Sequence, residues 1–226
     1  MKGGKYLFLI LMTLLGCQSN SVINTLDEHH YVPLTSGQYV DMEVITSVYA
    51  SNETAYTTYG MIRIETGTSF INTSGQECYN VQYASALKNN QWQIDSTQIA
   101  WHTVDKVFRT EGGNVIHLMA LPMSEYSTWN GNAYNALGPQ YFTVRHLGKA
   151  FTSNNQLFPN TVTIVRQNDS TLIRQQKRVE VYAEGIGLIY KEQTNINFCY
   201  NSDCYGKGVI QSGRREISTI KRYSNR

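Results

Sequence analysis

The stretch STLIRQQKRVEVYAEGIGLIYKEQ (residues 170–193) decides the fold. Its β-branched and aromatic residues surround a Gly-Ile-Gly segment, and we find no apolar spacing of helical period that favours a helix. The stretch is long enough for at least two strands. Gly185 and Gly187 would remove side chains from one face of a strand, which permits a close backbone approach or a strong bend. The stretch therefore predicts antiparallel strands in a strongly curved sheet.

Similar segments continue along the chain on both sides, separated by turn residues such as Gly112-Gly113. We expect a mainly β fold, a single domain of about ten antiparallel strands in a strongly curved sheet or half-barrel, with little helix outside a signal peptide. Residues 121–137 are the least regular and predict a short helix or a loop laid across the sheet. The other predicted strands are residues 38–50, 55–65, 77–85, 91–104, 105–110, 114–121, 141–148, 161–167 and 215–223.

The composition agrees with one globular domain. The chain has 226 residues, of which 41% are hydrophobic, 16% charged and 12% aromatic. These values argue against disorder, collagen and solenoids. The single long apolar run is N-terminal and the mean hydropathy is -0.36, which excludes a protein with several membrane spans.

The first residues predict export and lipidation. Lys2 and Lys5 precede an apolar run at residues 6–15, which is too short for a stable membrane-spanning helix. The segment Leu14-Leu15-Gly16-Cys17 resembles the bacterial lipobox, in which the cysteine is diacylated on sulfur and freed by signal cleavage. We therefore expect a signal peptide at residues 1–16, a lipidated Cys17 with a polar tether at residues 17–26, and a β-domain at residues 27–226. The alternatives are an ordinary secretory signal and an uncleaved N-terminal anchor.

The predicted address is the cell envelope, with the membrane as a partner through the lipid anchor. Gln18 follows the anchor cysteine and no acidic run comes next, so we favour the periplasmic face of the outer membrane over the cell surface. His29 and His30 are assigned to the tether. Two or three acyl chains would hold the protein firmly, because each buried CH₂ contributes about 0.8 kcal/mol.

The charge is unevenly distributed. Removal of residues 1–16 would leave equal numbers of basic and acidic residues. In addition, the basic residues are not interleaved with aromatic residues in a loop. Both observations disfavour nucleic-acid binding. From Lys207 onward, six basic residues face a single acidic one, Glu216. This segment predicts a solvated edge strand protected by its charge, and the alternative is contact with anionic headgroups or an acidic partner.

The cysteines suggest an oxidising compartment. Cys199 and Cys204 lie in the run CYNSDCYG, a spacing that suits a loop closed by a disulfide. A metal pair is disfavoured because no second CxxC or nearby histidine supplies further ligands. Cys78 is expected to pack as a small buried residue on a strand.

We predict no catalytic residue, no metal site and no cofactor. HExxH, GxSxG and Walker patterns are missing from the sequence. One enzyme alternative stays open, a glycan-acting hydrolase with two facing carboxylates. The sequence does not indicate which acidic residues would form that pair, and the candidates are Asp105, Glu111, Glu180, Glu184 and Glu192.

Residues 128–135 (TWNGNAYN) contain the candidate binding residues Trp129, Asn130, Asn132 and Tyr134. Aromatic faces can stack on sugars, and asparagines can hydrogen-bond them. The alternative is a structural role, in which the aromatics pack across strands and the asparagines bond backbone groups in an irregular loop.

Four segments together resemble a group of uncharacterised Bacteroidota lipoproteins. These carry a Y-x-P-L-x-x-G-x-Y/W motif, a T-W-N-G-N-x-x-N loop and a Y-A-x-G-x-G-L-I-Y-K-E motif, in the same order as here. Val40 is a slight departure, since an aromatic residue is common there. The matching segments are residues 31–40, 128–135, 179–192 and 204–223. The resemblance implies a lipoprotein with a strand-rich fold and supplies no catalytic residue.

We therefore expect a membrane-anchored envelope lipoprotein with a non-enzymatic binding or structural domain, whose partner is an envelope protein, a glycan or a lipid. Besides the hydrolase, the other alternative to this function is a periplasmic carrier of lipid or acyl chains of the half-barrel type. The Gly-x-Gly-Leu strand is similar to strands of half-barrel envelope proteins that hold acyl chains, which is a likeness of fold alone.

Overall fold

The computed structural model describes residues 28–50, 53–88 and 91–224. The predicted signal peptide, the lipidated Cys17 and the tether lie outside the described residues. None of the helices in the described ranges is long and apolar enough to cross a membrane.

The described chain forms twelve antiparallel strands in one nearly closed, barrel-like sheet, which confirms the predicted fold class. A short 3-10 helix, Glu28–Tyr31, precedes the first strand. The strands are β1 Tyr39–Ala50, β2 Glu53–Ile71, β3 Glu77–Ala86, β4 Trp92–His102, β5 Lys106–Glu111, β6 Asn114–Ala120, β7 Thr128–Asn130, β8 Tyr141–Ser153, β9 Gln156–Ser170, β10 Arg174–Ala183, β11 Gly187–Phe198 and β12 Ile210–Tyr223.

Nearly all strands pair with their neighbours in sequence, and β1 also pairs with β12, so that β6 and β7 form the two edges. These edges approach each other closely. The backbone N–H of His117 on β6 donates to the carbonyl of Gly131, 2.9 Å away, just after β7. We call this contact between β6 and the β7 region the seam.

The hairpin topology gives the barrel two ends. The turns after β1, β3, β5, β7, β9 and β11 lie at one end, which we call the tip end. The remaining turns lie at the other end, where the chain enters β1 and leaves β12. The segment at residues 28–38 covers this second end, so we call the segment the plug and this end the plugged end.

Backbone and side-chain hydrogen bonds fix the plug. The Tyr31 hydroxyl donates to Asn160 Oδ1 at 2.7 Å, and Tyr31 itself is buried. The Gly185 N–H, in the turn between β10 and β11, donates to the His30 carbonyl at 2.8 Å. The assignment of His29 and His30 to a tether is wrong, because both belong to the 3-10 helix of the plug.

The two glycines of the Gly-Ile-Gly segment lie where the chain turns from β10 into β11. Gly185 has a φ of 73° and lies in the turn, while Gly187 has a φ of 99° and begins β11. A Cβ atom at Gly187 would lie 3.7 Å from Pro33 of the plug. These glycines therefore allow a tight turn that sits against the plug.

The basic C-terminal segment is not an edge strand. β12 lies between β1 and β11 in the middle of the sheet. Its basic side chains are paired: Lys221 bonds Glu43 at 2.7 Å, and Arg222 bonds Asp41. The prediction of a solvated edge strand is therefore wrong, because these charges form pairs across strands in the middle of the sheet.

Candidate ligand-binding cavity

Charged side chains from opposite walls meet inside the barrel. Arg109 and Glu111 lie on β5, while Arg178 and Glu180 lie on β10, across the barrel. Residues two apart on a strand share one face, so each pair points inward together. Arg166, on β9, completes the cluster. We call these five residues the ion cluster.

Three arginines hold Glu111. Its carboxylate accepts hydrogen bonds from Arg109 Nη2 at 2.5 Å, Arg166 Nη1 at 2.6 Å and Arg178 Nη2 at 2.7 Å. Burial disfavours the ionised form, but the positive charges of Arg109, Arg166 and Arg178 outweigh it and hold the pKa of Glu111 far below its usual range.

Glu180 is held just as firmly and is fully buried. Tyr182 donates its hydroxyl hydrogen to Glu180 Oε2 at 2.6 Å, and Arg109 and Arg166 lie 3.3 and 3.2 Å from Oε1. Burial again opposes ionisation, and the two arginine charges outweigh it, so the pKa of Glu180 is also strongly lowered. Both carboxylates are therefore permanently charged acceptors with their bonding capacity used within the cluster.

A cavity of ≈ 220 Å³ lies against the ion cluster. Its walls combine apolar side chains, such as Met42 and Ile64, with polar groups. The polar lining consists of Tyr83, Gln98, Arg109, Glu111, Arg178, Glu180, Lys191, Glu216 and Ser218. This combination is typical of ligand sites, where a few polar groups converge within an apolar wall.

A second cavity continues toward the tip end. It measures ≈ 360 Å³ and is lined by Gln193, Asn195, Arg214 and Glu216. Glu216 lines both cavities, so the two adjoin there. The arrangement provides a polar route from the tip end to the inner cavity.

A third cavity lies beside the plug and is mainly apolar. It is lined by plug residues such as Val32 and Leu34 together with Leu118 and Leu188. Its volume of ≈ 70 Å³ is smaller than the several hundred Å³ that a site for a lipid-sized ligand requires.

The candidate binding residues Trp129, Asn130, Asn132 and Tyr134 lie at the seam and not in these cavities. Trp129 is nearly buried, and its Nε1 donates to the His117 carbonyl at 2.8 Å. Tyr134 packs edge-on against Phe108, with ring centroids 5.0 Å apart, and is half exposed. Their role in binding stays a prediction, while the contacts demonstrate a structural role in closing the barrel.

The asparagines of this loop bond backbone groups, as the structural alternative predicts. Asn130 Oδ1 accepts from the N–H groups of Asn132 and Gln140, both at 3.0 Å. Asn132 Nδ2 donates to the Gly138 carbonyl at 2.7 Å, and Asn135 Nδ2 to that of Val115 at 2.7 Å. The region between β6 and β8 thus contains a short strand and a loop fixed to β6, with no helix among its described residues.

The disulfide between Cys199 and Cys204 is present, which confirms that prediction. It lies in the loop between β11 and β12, at the tip end. Cys78 is a free, buried thiol on β3. Within the described ranges, no three residues of the types that ligate metals are grouped to hold an ion.

Sequence reasoning named Glu111 and Glu180 as possible hydrolase carboxylates but missed their arginines. A signal was present in the run at residues 178–182, RVEVY, where charged and aromatic residues alternate with valines. Such a pattern is normally assigned to a solvated outer face. Only the closed sheet, which brings β5 opposite β10, indicates that this polar face is the inner one.

Comparisons with known proteins give a limited likeness. No protein-family model and no curated protein matches the sequence. One solved structure that matches is described as a "putative lipoprotein from Parabacteroides distasonis"; it has a TM-score of 0.42 and 11% identity, over 86% of this chain and 98% of that chain. Another is described as a "putative outer membrane lipoprotein-sorting protein domain from Vibrio parahaemolyticus", with a TM-score of 0.19 and 10% identity, over 84% of this chain and 85% of that chain. Likeness at this level carries no argument about function.

Proposed function

We propose that the protein is a lipid-anchored lipoprotein of the cell envelope whose barrel is a non-enzymatic binding module for a small polar ligand. The inner cavity of ≈ 220 Å³ carries the proposal, because polar and charged groups converge there within an apolar wall. The adjoining cavity at Glu216 supplies the entrance.

The proposed anchor fixes the orientation of this entrance. The chain enters the barrel at the plugged end, so a lipid on Cys17 would tether that end to the membrane. The tip end, with the outer cavity, would then point away from the membrane. On the periplasmic face of the outer membrane, which we favour over the cell surface, the entrance would open to the periplasm.

The hydrolase alternative receives little support from the charged interior. A glycosidase with two carboxylates needs one of them protonated at its working pH, and this acid normally has a raised pKa. The pKa values of Glu111 and Glu180 are both lowered, because arginine charges outweigh burial. Neither residue can act as the acid, which favours binding over hydrolysis.

Native mass spectrometry of the protein recovered from its own envelope tests the binding function. We expect a retained, non-covalent mass that is lost under denaturing conditions. Ser218, which lines the inner cavity and is 1% exposed, offers a blocking variant. Ser218→Leu should abolish the retained mass. Thr219→Leu, one residue along on the opposite face of β12, is the matched control and should keep it.

The chemistry of the retained mass separates the alternatives. A small polar molecule supports the proposal, whereas a lipid would support the carrier alternative and contradict ours. The absence of a retained mass in the native protein would also contradict the proposal. So would a retained mass that Ser218→Leu leaves in place. A hydrolytic activity lost in Glu180→Gln but kept in Glu43→Gln would instead establish the enzyme alternative.

The anchor has its own test. Membrane fractionation should find the protein with the membranes, and Cys17→Ser should release it or leave it unprocessed. Mass analysis of the N-terminal peptide should find acyl chains on Cys17. An unmodified Cys17 in the mature protein would refute lipidation without touching the binding function.

A further inference from the structure

The charged groups in and directly behind the wall of the inner cavity carry a positive surplus. Arg109, Arg178 and Lys191 line the cavity together with the carboxylates of Glu111, Glu180 and Glu216. Glu216, at the border with the outer cavity, is matched by Arg214 at 2.6 Å. A fourth cation, Arg166 of the ion cluster, lies behind this wall, where it bonds Glu111 and Glu180. Since both carboxylates are already shared among the arginines, the surplus positive charge belongs to the cavity.

Lys191 is the cation of the cavity wall whose charge is not paired with a carboxylate of the described residues. It lies on β11, opposite Glu180 on β10 and Ser218 on β12, and lines the cavity. Its ammonium group, which offers three donors, makes no hydrogen bond or ion pair with any residue of the described ranges. Burial lowers the pKa of Lys191, and the negative charge of Glu180 only partly offsets this effect.

Other polar atoms of the same wall also have no partner among the described residues. Arg178 Nε and Gln98 Oε1 are buried and make no hydrogen bond. The Tyr83 hydroxyl, which likewise has no bonding partner in the described structure, belongs to a side chain that lines the cavity. A buried polar atom without a partner costs about 1–3 kcal/mol. Such atoms are therefore typical of a site that a ligand completes.

The donors converge while the acceptors are used up. Lys191, Arg178 and Tyr83 all offer hydrogens, and Gln98 would offer its amide hydrogens in place of Oε1 after a half-turn of its amide group. The carboxylates of Glu111 and Glu180 are occupied by arginines and tyrosine, so a cationic ligand would find few free acceptors. A compact anionic group fits both the charge and the hydrogen-bond pattern.

We propose that the inner cavity binds the anionic group, a carboxylate or a phosphate, of a small ligand, and that Lys191 is its principal contact. This inference rests on the proposed binding function and names its ligand class. The anion enters through the outer cavity past Glu216 and Arg214. Binding of the anion does not disrupt the ion cluster, because Glu111 and Glu180 remain bound to their arginines.

Calorimetric titration of the full-length protein in detergent tests the inference with three probes. These are inorganic phosphate, glucuronate, and glucose as the uncharged counterpart of glucuronate. We expect phosphate or glucuronate to bind and glucose to bind at least tenfold more weakly. Phosphate binding would indicate a phosphate ligand, and selective glucuronate binding a carboxylate ligand.

Lys191→Met keeps the length of the side chain and removes its charge. It should weaken binding of the anionic probe by about 10- to 100-fold, the value of a hydrogen bond to a charged group. Lys221→Met is the matched control, because Lys221 is half exposed on the outer face and pairs with Glu43. It should leave binding unchanged.

The same variant gives a readout that requires no ligand. Because Lys191 is a half-buried cation without a partner among the described residues, Lys191→Met should raise the free energy of unfolding of the empty protein, or leave it unchanged. A marked loss of stability would mean that Lys191 serves as the counter-charge of Glu180, and would overturn the inference.

Two outcomes separate this inference from the binding function. If glucose binds as tightly as glucuronate, and Lys191→Met has no effect, the anionic class is wrong while the cavity still binds a polar ligand. If no probe binds and no mass is retained in native mass spectrometry, both proposals fail.

Discussion

The two halves of the barrel interior are equally buried but are stabilised differently. In the plugged half, Leu118 and Ile164 are fully buried among apolar side chains. In the tip half, Arg166 and Glu180 are almost as inaccessible, with 2% and 0% exposure, and bond each other. Burial alone therefore does not predict the chemistry of this interior.

On three strands the border between the halves falls within one inward-facing step. Moving two residues toward the tip end changes a buried apolar side chain to a polar one. The pairs are Val107 and Arg109 on β5, Ile164 and Arg166 on β9, and Ile220 and Ser218 on β12. On β10 the Tyr182 ring packs in the core and its hydroxyl bonds Glu180. Because the change falls at one level around the barrel, it divides a packed core from a polar chamber.

The largest loss of stability is expected from substitution of Glu180, a fully buried charge of the tip half. Glu180→Gln removes the charge that Arg109 and Arg166 face inside the barrel. Breaking one partner of a buried ion pair costs about 3–5 kcal/mol, because it leaves the other charge uncompensated. Urea unfolding followed by tryptophan fluorescence should reveal a loss of this size.

An exposed ion pair supplies the control for that experiment. Glu43 bonds Lys221 at 2.7 Å on the outer face, and both side chains are exposed. Glu43→Gln should cost less than about 1 kcal/mol. Equal losses in the two variants would mean that the interior charges are solvated, and the division of the barrel into two halves would fail.

Acid should weaken the tip half before the plugged half. Glu111 and Glu180 have lowered pKa values in the folded state, since the arginine charges outweigh burial, while an unfolded glutamate titrates near about 4.3. The unfolded chain thus takes up protons first as the pH falls. The stabilisation is complete above about pH 5 and is lost progressively below it.

Unfolding free energies at a series of pH values between 7 and 3 would measure this loss. A carboxylate with a strongly lowered pKa loses its contribution progressively between about pH 5 and pH 1, so at pH 3 the native protein should already have lost about 2 kcal/mol or more. Glu180→Gln should give a shallower dependence. A curve of equal slope in both proteins would contradict the role of Glu180 in acid sensitivity.

The sequence predicted the strands well, because their periodicity is local. The segments on both sides of the Gly-Ile-Gly turn became β10 and β11 within a few residues of their predicted ends. The disulfide and the asparagine loop were also predictable, since spacing and turn chemistry decide both. What alternation cannot predict is which strands lie opposite one another.

Pairings over long distances explain the errors. β12 is central because it pairs with β1, from the other end of the chain, and nothing within residues 210–223 signals that partner. The ion cluster was missed for the same reason, since Arg109 meets Glu180 only when the sheet closes. The plug was missed because its contacts, such as that of the Tyr31 hydroxyl with Asn160 and that of the His30 carbonyl with the Gly185 N–H, join residues far apart in the sequence.

A smaller effect is expected from the disulfide at the tip end. Cys199 and Cys204 are five residues apart, and a loop this short should contribute about 2 kcal/mol by the chain-entropy estimate. Reductant should lower the unfolding free energy of the native protein by this amount. The variant with both residues replaced by serine should start at the lower value and be insensitive to reductant. If reductant leaves the unfolding free energy of the native protein unchanged, the disulfide does not contribute to its stability.

The smallest effect is expected at the plug, from loss of one hydrogen bond. Burial, aided by Glu184 and Glu28, raises the pKa of Tyr31 to about 12, so its hydroxyl stays protonated and donates to Asn160. Tyr31→Phe should cost about 1 kcal/mol, and Tyr56→Phe, at an exposed tyrosine of the tip end, should cost less. Hydrogen exchange should quicken at the Gly185 amide, which bonds the plug, and not at amides of the ion cluster strands near the tip end. Faster exchange at both ends would mean that the two halves of the barrel open together, and would contradict their independence.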